Sequence, residues 1–142
     1  MNIVRIEMVK EREIPYKVKN LSSPENVAEL GCELLGKADR ETFLTICVDN
    51  KNQINAINTV SIGSLDQTIV HPREAFKAAI LANASSVIFM HNHPSGNIIP
   101  SNADIELTKI LVDAGKLLCI KVHDHLIIGG NHYFSFAEDG RM

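Results

Sequence analysis

The sequence lacks the cysteine patterns that stabilise or metallate small domains. It has three cysteines among 142 residues, Cys32, Cys47 and Cys119, and no two of them form a Cys-x-x-Cys pair. A structural zinc ribbon is therefore not expected, because such sites take their thiolates from closely spaced pairs. The wide spacing among apolar neighbours instead favours buried, reduced thiols, which are typical of cytoplasmic proteins.

Long apolar runs and clusters of positive charge are also missing. No stretch is long enough to cross a bilayer, and residues 1–18 lack the apolar core of a signal peptide. We therefore expect a cytoplasmic protein without membrane contact. Lys and Arg total 14 against 17 Asp and Glu, which gives a formal net charge of -3. Nucleic-acid binding stays open as an alternative but gains no support from this charge.

Length and composition indicate a single domain. A chain of 142 residues with 45% hydrophobic and 22% charged residues is ordinary for one globular unit. Residues 1–21 are interpreted as a β-branched strand at 3–9 followed by a polar connector, and residues 22–142 as the domain itself.

Helix and strand signals alternate along this domain. Ser23 and Pro24 are typical of an N-cap and a first helical residue, Pro72 predicts a second helix, and a third is predicted after Ser101. The expected order β-α-β-β-α-β-α-β-β predicts an α/β (α+β) fold, with a central, mostly mixed sheet flanked by helices. Strands are predicted for a hairpin at residues 41–64, for residues 85–90 and for a second hairpin at residues 119–136.

One short stretch, HNHPSGNIIPSNAD at residues 91–104, concentrates polar chemistry. His91 and His93 follow a buried strand at alternate positions, so an extended chain points both imidazoles to one side. Asp104 lies in the first turn of the next helix, whose side chains tilt back towards the helix start. Two imidazoles and one carboxylate are typical of catalytic zinc sites, which keep a fourth position for water.

The same residue types also have structural interpretations. Ser101-x-x-Asp104 is the pattern of a helix capping box, and a carboxylate engaged in a cap would not be fully available to an ion. Its coincidence with the two histidines favours the metal site. A second His-x-His, His123-Asp124-His125, has no carboxylate after it at a helix start. It is interpreted as a buried, hydrogen-bonded strand, in which Asp124 or His125 would brace the metal ligands.

A zinc site of this kind needs a general base, and Glu41 is the candidate because it opens a predicted strand whose end would lie near the ligands. The Ser101 hydroxyl would donate a hydrogen bond to an oxyanion, an interaction whose loss costs on the order of 10²–10³ in rate. Arg73 is a candidate for binding a substrate carboxylate. Cys119 is assigned to the core.

The spacing of these residues resembles a known signature. His91-x-His93, seven residues and then Ser101-x-x-Asp104 is similar to the complete motif of the JAMM (also called JAB or MPN+) metalloproteases. Beyond this motif, the sequence of about residues 22–137 resembles the RadC branch of that superfamily. The blocks that carry this resemblance are VHPRE at residues 70–74, HNHPSG at 91–96 and DHLIIGG at 124–130.

This resemblance implies a fold similar to that of cytidine deaminases and a zinc ion (Zn²⁺) held by His91, His93 and Asp104. It also implies Glu41 as general base and Ser101 as hydrogen-bond donor to the transition state. RadC proteins carry a helix-hairpin-helix region ahead of this domain. Only about twenty residues precede the first predicted helix here, so we expect a short form that lacks that region.

The implied function is a zinc-dependent hydrolase that cleaves peptide or isopeptide bonds in a peptide or protein-tail substrate. The alternative is a RadC-family protein associated with DNA repair or recombination, acting as a DNA-binding or interaction module. A metal-free scaffold is the least favoured hypothesis, because every ligand of the motif is retained. The sequence carries no signal for a particular substrate or oligomeric state.

Overall fold

The structure is a computed structural model that describes residues 1–15, 21, 23–63 and 70–142. Within these ranges the chain forms three helices and five strands in the order α1-β1-β2-α2-β3-α3-β4-β5. The predicted α/β fold with a central mixed sheet is confirmed. The helices are α1 (Pro24–Leu35), α2 (Pro72–Leu81) and α3 (Asn102–Leu118), and the strands are β1 (Thr42–Val48), β2 (Ile54–Ile62), β3 (Ser86–Asn92), β4 (Lys121–Gly129) and β5 (His132–Ser135).

The strands form one sheet in the order β2-β1-β3-β4-β5. β3 and β4 are parallel and are joined by a crossover through α3, while the other neighbouring strands are antiparallel. The loop from β3 to α3 therefore leaves the sheet at the carboxyl end of its central strand. Ligands of α/β sheets commonly bind beyond the carboxyl ends of strands.

Helices cover both faces of the sheet and bury two hydrophobic clusters. α1 packs over one face, which includes Leu44 and Met90, whereas α2 and α3 pack over the other, which includes Phe43 and Phe89. Side chains alternate along a strand. His91, two residues after Phe89, therefore faces α2 and α3, the side from which the third predicted ligand comes.

The strand predicted at residues 3–9 is wrong. Residues 1–15 contain neither helix nor strand, and the apolar side chains of residues 1–9 are exposed. Alternation in the sequence is insufficient there, because a strand exists only where a neighbour satisfies its N–H and C=O groups. The predicted connector at residues 10–21 includes residues 16–20, which lie outside the described residues, and the domain boundary beside it stays a prediction.

Local signals placed the helix starts correctly. The Ser23 hydroxyl accepts a hydrogen bond from the Asn26 N–H at 3.4 Å, and Pro24 and Pro72 open α1 and α2.

The assignment of Cys119 to the core is wrong. Cys119 is the exposed C-cap of α3, with φ of 56°, so the chain turns away from the packed face there. Of the helices in the described ranges, none is both long and apolar enough to span a bilayer.

Candidate metal centre

β3 and the start of α3 bring the three predicted ligands together. His91 lies in β3 and is fully buried, and Asp104, in the first turn of α3, is 2% exposed. His93 follows the strand, and its backbone N–H donates to the Ile128 carbonyl at 2.8 Å. This bond keeps the chain extended along β4, so the His91 and His93 side chains leave on the same side.

The ligand atoms of this cluster are separated by nearly equal distances. His91 Nε2 lies 3.2 Å from His93 Nε2 and 3.1 Å from Asp104 Oδ1, and His93 Nε2 lies 3.4 Å from Asp104 Oδ2. Ligands at about 2.0–2.1 Å from a tetrahedral zinc ion are about 3.3–3.4 Å apart, so these separations fit such an ion. In the part of the chain that the structure describes, no other His, Cys, Asp or Glu side chains form a group that could hold a metal.

Asp104 also completes a capping box. The Ser101 N–H donates to Asp104 Oδ2 at 2.8 Å, and the Asp104 N–H donates to Ser101 Oγ at 3.1 Å. The Ser101 hydroxyl donates to the same Oδ2 at 2.8 Å. Oδ1 meanwhile faces His91. Asp104 therefore takes part in both the cap and the cluster, and its Oδ2 is shared between Ser101 and His93.

The two histidines keep the Asp104 carboxylate ionised. Burial favours its neutral form, but the facing His91 and His93 rings, together with the Ser101 N–H, outweigh burial and hold the pKa of Asp104 well below its usual range. The pKa of His93 is raised, chiefly by its hydrogen bond to Asp104, against the opposing effect of burial. A carboxylate that stays charged at neutral pH is available to a cation.

The backbone fixes the His93 ring. His93 Nδ1 lies 2.6 Å from the carbonyl oxygen of Asn97. A carbonyl only accepts hydrogen bonds, so Nδ1 carries a proton. In the neutral ring, the lone pair on Nε2 then faces His91 and Asp104, as a metal ligand requires.

The loop that carries His93 packs directly on the end of β4. A Cβ atom at Gly129 would lie 2.5 Å from the carbonyl oxygen of Gly96 and 2.7 Å from a methyl group of Ile98. Only glycine at position 129 allows this approach without a shift of the loop backbone. Gly96 itself has φ of 82°, a left-handed conformation that glycine adopts without strain.

Glu41, the predicted base, immediately precedes β1. This strand pairs antiparallel with β3, with Phe43 opposite His91. Continuing the register by two residues brings Glu41 opposite His93. The Glu41 charge contributes to the raised pKa of His93, and Glu41 lines a surface cleft together with Pro94. The structure thus brings Glu41 to this side of the cluster, and its catalytic role stays a prediction.

Asn92, between the two histidines, connects β3 by hydrogen bonds to residues 38–42, the segment that contains Glu41. Its amide nitrogen donates to the carbonyl oxygens of Arg40 at 3.0 Å and Ala38 at 3.5 Å. Its amide oxygen accepts from the Thr42 N–H at 2.8 Å. Asn92 is 2% exposed, so these bonds are shielded from water. They fix the backbone on both sides of Glu41.

In the second His-x-His motif, Asp124 and His125 are buried and hydrogen-bonded in β4, as predicted, whereas His123 is half-buried. Asp124 accepts from the backbone N–H groups of His125 at 2.7 Å and Ala137 at 3.0 Å, and from the Ser135 hydroxyl at 2.5 Å. Burial raises the pKa of Asp124 and lowers that of His125. His125 Nε2 lies 2.9 Å from His91 Nδ1, so this motif contacts a candidate ligand.

Thr108 was missed in the sequence, and the role suggested for Arg73 stays a prediction. Thr108 is 2% exposed and lies 2.6 Å from His125 Nδ1. It follows Asp104 by four residues, and a polar residue at helical spacing from a candidate ligand was the available signal. Arg73 is exposed in the first turn of α2, and no contact among the described residues joins it to the three ligands.

A mixed sheet with helices on both faces, and a His-x-His and Asp cluster beyond its central strand, define a domain of the JAB/MPN class. The family model described as RadC-like JAB domain matches residues 21–141. The chain therefore belongs to the RadC-like JAB domain family.

Several curated relatives carry the name UPF0758 protein. UPF0758 protein TTE0897 of Caldanaerobacter subterraneus subsp. tengcongensis is 51% identical over 121 residues, which are 85% of this chain and 52% of that protein. A relative from Finegoldia magna is 48% identical over 119 residues, 84% of this chain and 53% of the relative. One from Methanosarcina barkeri is 47% identical over 122 residues, 86% and 53% respectively. The chain spans about half the length of the curated relatives it matches.

Proposed function

We propose that this domain is a zinc-dependent hydrolase that cleaves peptide or isopeptide bonds. The observation that supports the proposal is the convergence of three acceptor groups, the two Nε2 atoms of His91 and His93 and the Asp104 carboxylate, at separations of 3.1 to 3.4 Å. When the two rings are neutral, their Nε2 lone pairs and the carboxylate converge on one point, and a cation there would offset the repulsion between them. Two imidazoles and one carboxylate are, moreover, the donor set of catalytic zinc sites.

The reaction chemistry would be divided between the ion and the residues around it. Zinc, when bound, would supply a water whose pKa is lowered to about 7 and would polarise the substrate carbonyl. Glu41 would accept the proton of the attacking water and deliver it to the leaving nitrogen. The register of β1 against β3 supports this role, because it brings Glu41 alongside His93.

Ser101 would donate its hydroxyl to the oxyanion that develops on the substrate. In the structure this hydroxyl donates to Asp104 Oδ2, which also accepts from the Ser101 N–H. Rotation of the hydroxyl towards substrate would therefore leave Oδ2 with its backbone hydrogen bond. The cap would keep Asp104 in place while the hydroxyl changes partner.

A peptide or protein tail is the expected substrate class. β2 is an edge strand of the sheet and pairs with β1, the strand that Glu41 precedes. An extended peptide could bind along such an edge by main-chain hydrogen bonds. The cleft that Glu41 lines also includes Gly63, which directly follows β2, so a peptide along this edge would extend to the cleft.

Metal content and cleavage together test the proposal. Elemental analysis of the wild type and of His93→Ala should show near-stoichiometric zinc that the variant loses. The zinc-loaded protein is then incubated with a library of linear peptides and lysine-linked isopeptides, and the products are identified by mass spectrometry. We expect cleavage that requires zinc.

Two matched carboxylate variants separate catalysis from folding. Glu41→Gln should keep zinc and reduce cleavage by about 10²–10⁴-fold, the usual contribution of a general base. Glu106→Gln, at an exposed position of α3, should cleave at the wild-type rate. A zinc-loaded protein that cleaves none of the library, or Glu41→Gln at full activity, would contradict the proposal. Salt-sensitive DNA binding by such an inactive protein would favour the DNA-associated alternative.

A further inference from the structure

A buried chain of hydrogen bonds runs behind the candidate ligands from α3 through β4 to β3. The Thr108 hydroxyl donates to the carbonyl oxygen of Asp104 at 2.7 Å and lies 2.6 Å from His125 Nδ1. His125 Nε2 in turn lies 2.9 Å from His91 Nδ1. Thr108 is 2% exposed and both histidines are fully buried, so water has little access to these bonds.

The proton positions at the α3 end of this chain follow from its chemistry. Thr108 has one hydroxyl proton, and the Asp104 carbonyl can only accept it. The Thr108 oxygen must then accept the hydrogen bond from His125. His125 therefore carries a proton on Nδ1.

The surroundings of His125 determine the protonation of its Nε2, the nitrogen that faces His91 at the other end of these hydrogen bonds. Its ring centroid lies 5.2 Å from that of Phe136, 5.5 Å from Phe43 and 6.4 Å from Phe89. A charged imidazolium in such apolar surroundings is costly, so His125 carries only the Nδ1 proton. Its bare Nε2 then accepts from His91 Nδ1–H. This leaves a lone pair on His91 Nε2, the atom that faces His93 and Asp104.

We propose that Thr108 and His125 are positioning residues that hold His91 in the tautomer whose Nε2 can bind an ion. The chain of hydrogen bonds starts at the carbonyl oxygen of Asp104. The helix that supplies this candidate ligand therefore also determines which nitrogen of His91 can bind an ion. The inference rests on the proposed metal centre but not on hydrolysis. The orientation of His93 by the Asn97 carbonyl is separate, so His91 is the ligand that depends on this chain.

The test compares two substitutions of nearly the same size. Thr108→Val removes the hydroxyl and keeps the branched shape, whereas Thr108→Ser keeps the hydroxyl. Without an acceptor at Thr108, His125 is free to move its proton to Nε2 and donate to His91, which would place the His91 proton on Nε2. The ¹⁵N chemical shifts of the histidine rings in the metal-free protein report the tautomer directly. Competition with a chromophoric chelator reports zinc affinity.

We expect the wild type and Thr108→Ser to show the His91 proton on Nδ1. Thr108→Val should show it shifted towards Nε2, with zinc affinity lowered by about 10–100-fold, the usual effect of losing a partner of a metal ligand. Wild-type tautomer and affinity in Thr108→Val would overturn the proposal. Equal loss in the valine and serine variants would also overturn it, because the hydroxyl would then be irrelevant.

A second pair of variants serves if Thr108→Val does not fold. His125→Gln offers an amide oxygen to His91 Nδ1–H, whereas His125→Leu offers no acceptor. We expect the glutamine variant to bind zinc more tightly than the leucine variant, and equal affinities would contradict the proposal. Neither measurement uses a substrate, so the absence of hydrolysis would leave this result intact.

Discussion

At the scale of single residues, Asp104 combines a structural and a chemical task in one carboxylate. Its Oδ2 accepts a hydrogen bond from the Ser101 N–H in the capping box that begins α3, while its Oδ1 faces His91. The cap restricts the rotamer of the candidate ligand, and such support usually decides whether a site holds its geometry. The first turn of α3 is therefore stabilised by the same interaction that orients the ligand.

Substitutions at Asp104 should separate these tasks. Asp104→Asn keeps an amide oxygen for the Ser101 N–H but loses the negative charge, so we expect it to lose zinc and retain the cap. Asp104→Ala should lose zinc and also the hydrogen bond from the Ser101 N–H, so its free energy of unfolding should be about 0.5–1.5 kcal/mol lower than that of the asparagine variant, the usual net contribution of a hydrogen bond. Urea unfolding in the presence of chelator and zinc titration measure the two effects. An asparagine variant that binds zinc like the wild type would refute the ligand assignment.

At the scale of secondary-structure elements, β3 organises the site. It carries His91 and Asn92, contacts β1 on one side and β4 on the other, and leads into the loop that carries His93. His91 faces the helices α2 and α3. Asn92, the next residue, reaches across to the segment before β1. Two adjacent residues of one strand thus position a candidate ligand and the predicted base.

Asn92→Ala should impair catalysis without removing zinc. The substitution leaves the Thr42 N–H without its partner and removes one of the two hydrogen bonds to the Arg40 carbonyl, which costs about 1–3 kcal/mol of stability. Displacement of Glu41 by about 1 Å would lower cleavage by roughly 10²-fold. Asn50→Ala is the control, because Asn50 is exposed in the turn after β1, at the end of that strand opposite to Glu41. Measurement of zinc content and cleavage rate checks both variants, and loss of zinc in Asn92→Ala would contradict the assigned role.

At the scale of the whole molecule, the sequence predicted the features that depend only on residues close together along the chain. The start of α3 at Ser101 and the ligand spacing of residues 91–104 are local patterns, and the structure brings the predicted ligands together. The strand expected at residues 3–9 failed because alternation carries no information about a pairing partner. The contact between Thr108 and His125 depends on how α3 packs against β4, which no spacing in the sequence reports.

Zinc should stabilise the entire domain if the site is formed only in the folded state. At a free zinc concentration about 100 times the Kd, the folded state gains about 2.7 kcal/mol. For a chain of this size, that corresponds to a rise in Tm of about 5–10 °C. Differential scanning calorimetry with and without zinc measures the shift, and His93→Ala should show none. An equal shift in that variant would locate the zinc elsewhere.

The short separation of the ligands along the chain has a consequence for the order of folding. His91, His93 and Asp104 lie within one segment, and loops of about ten residues close in roughly 10–100 ns. Glu41 and His125 meet this segment only when β1 and β4 join β3, and such long-range pairing is slow. During synthesis, the ligand set is complete once residue 104 has been added, before Thr108 and β4 exist. The three side chains can therefore approach one another early, whereas an ordered site has to wait for the strands that orient them.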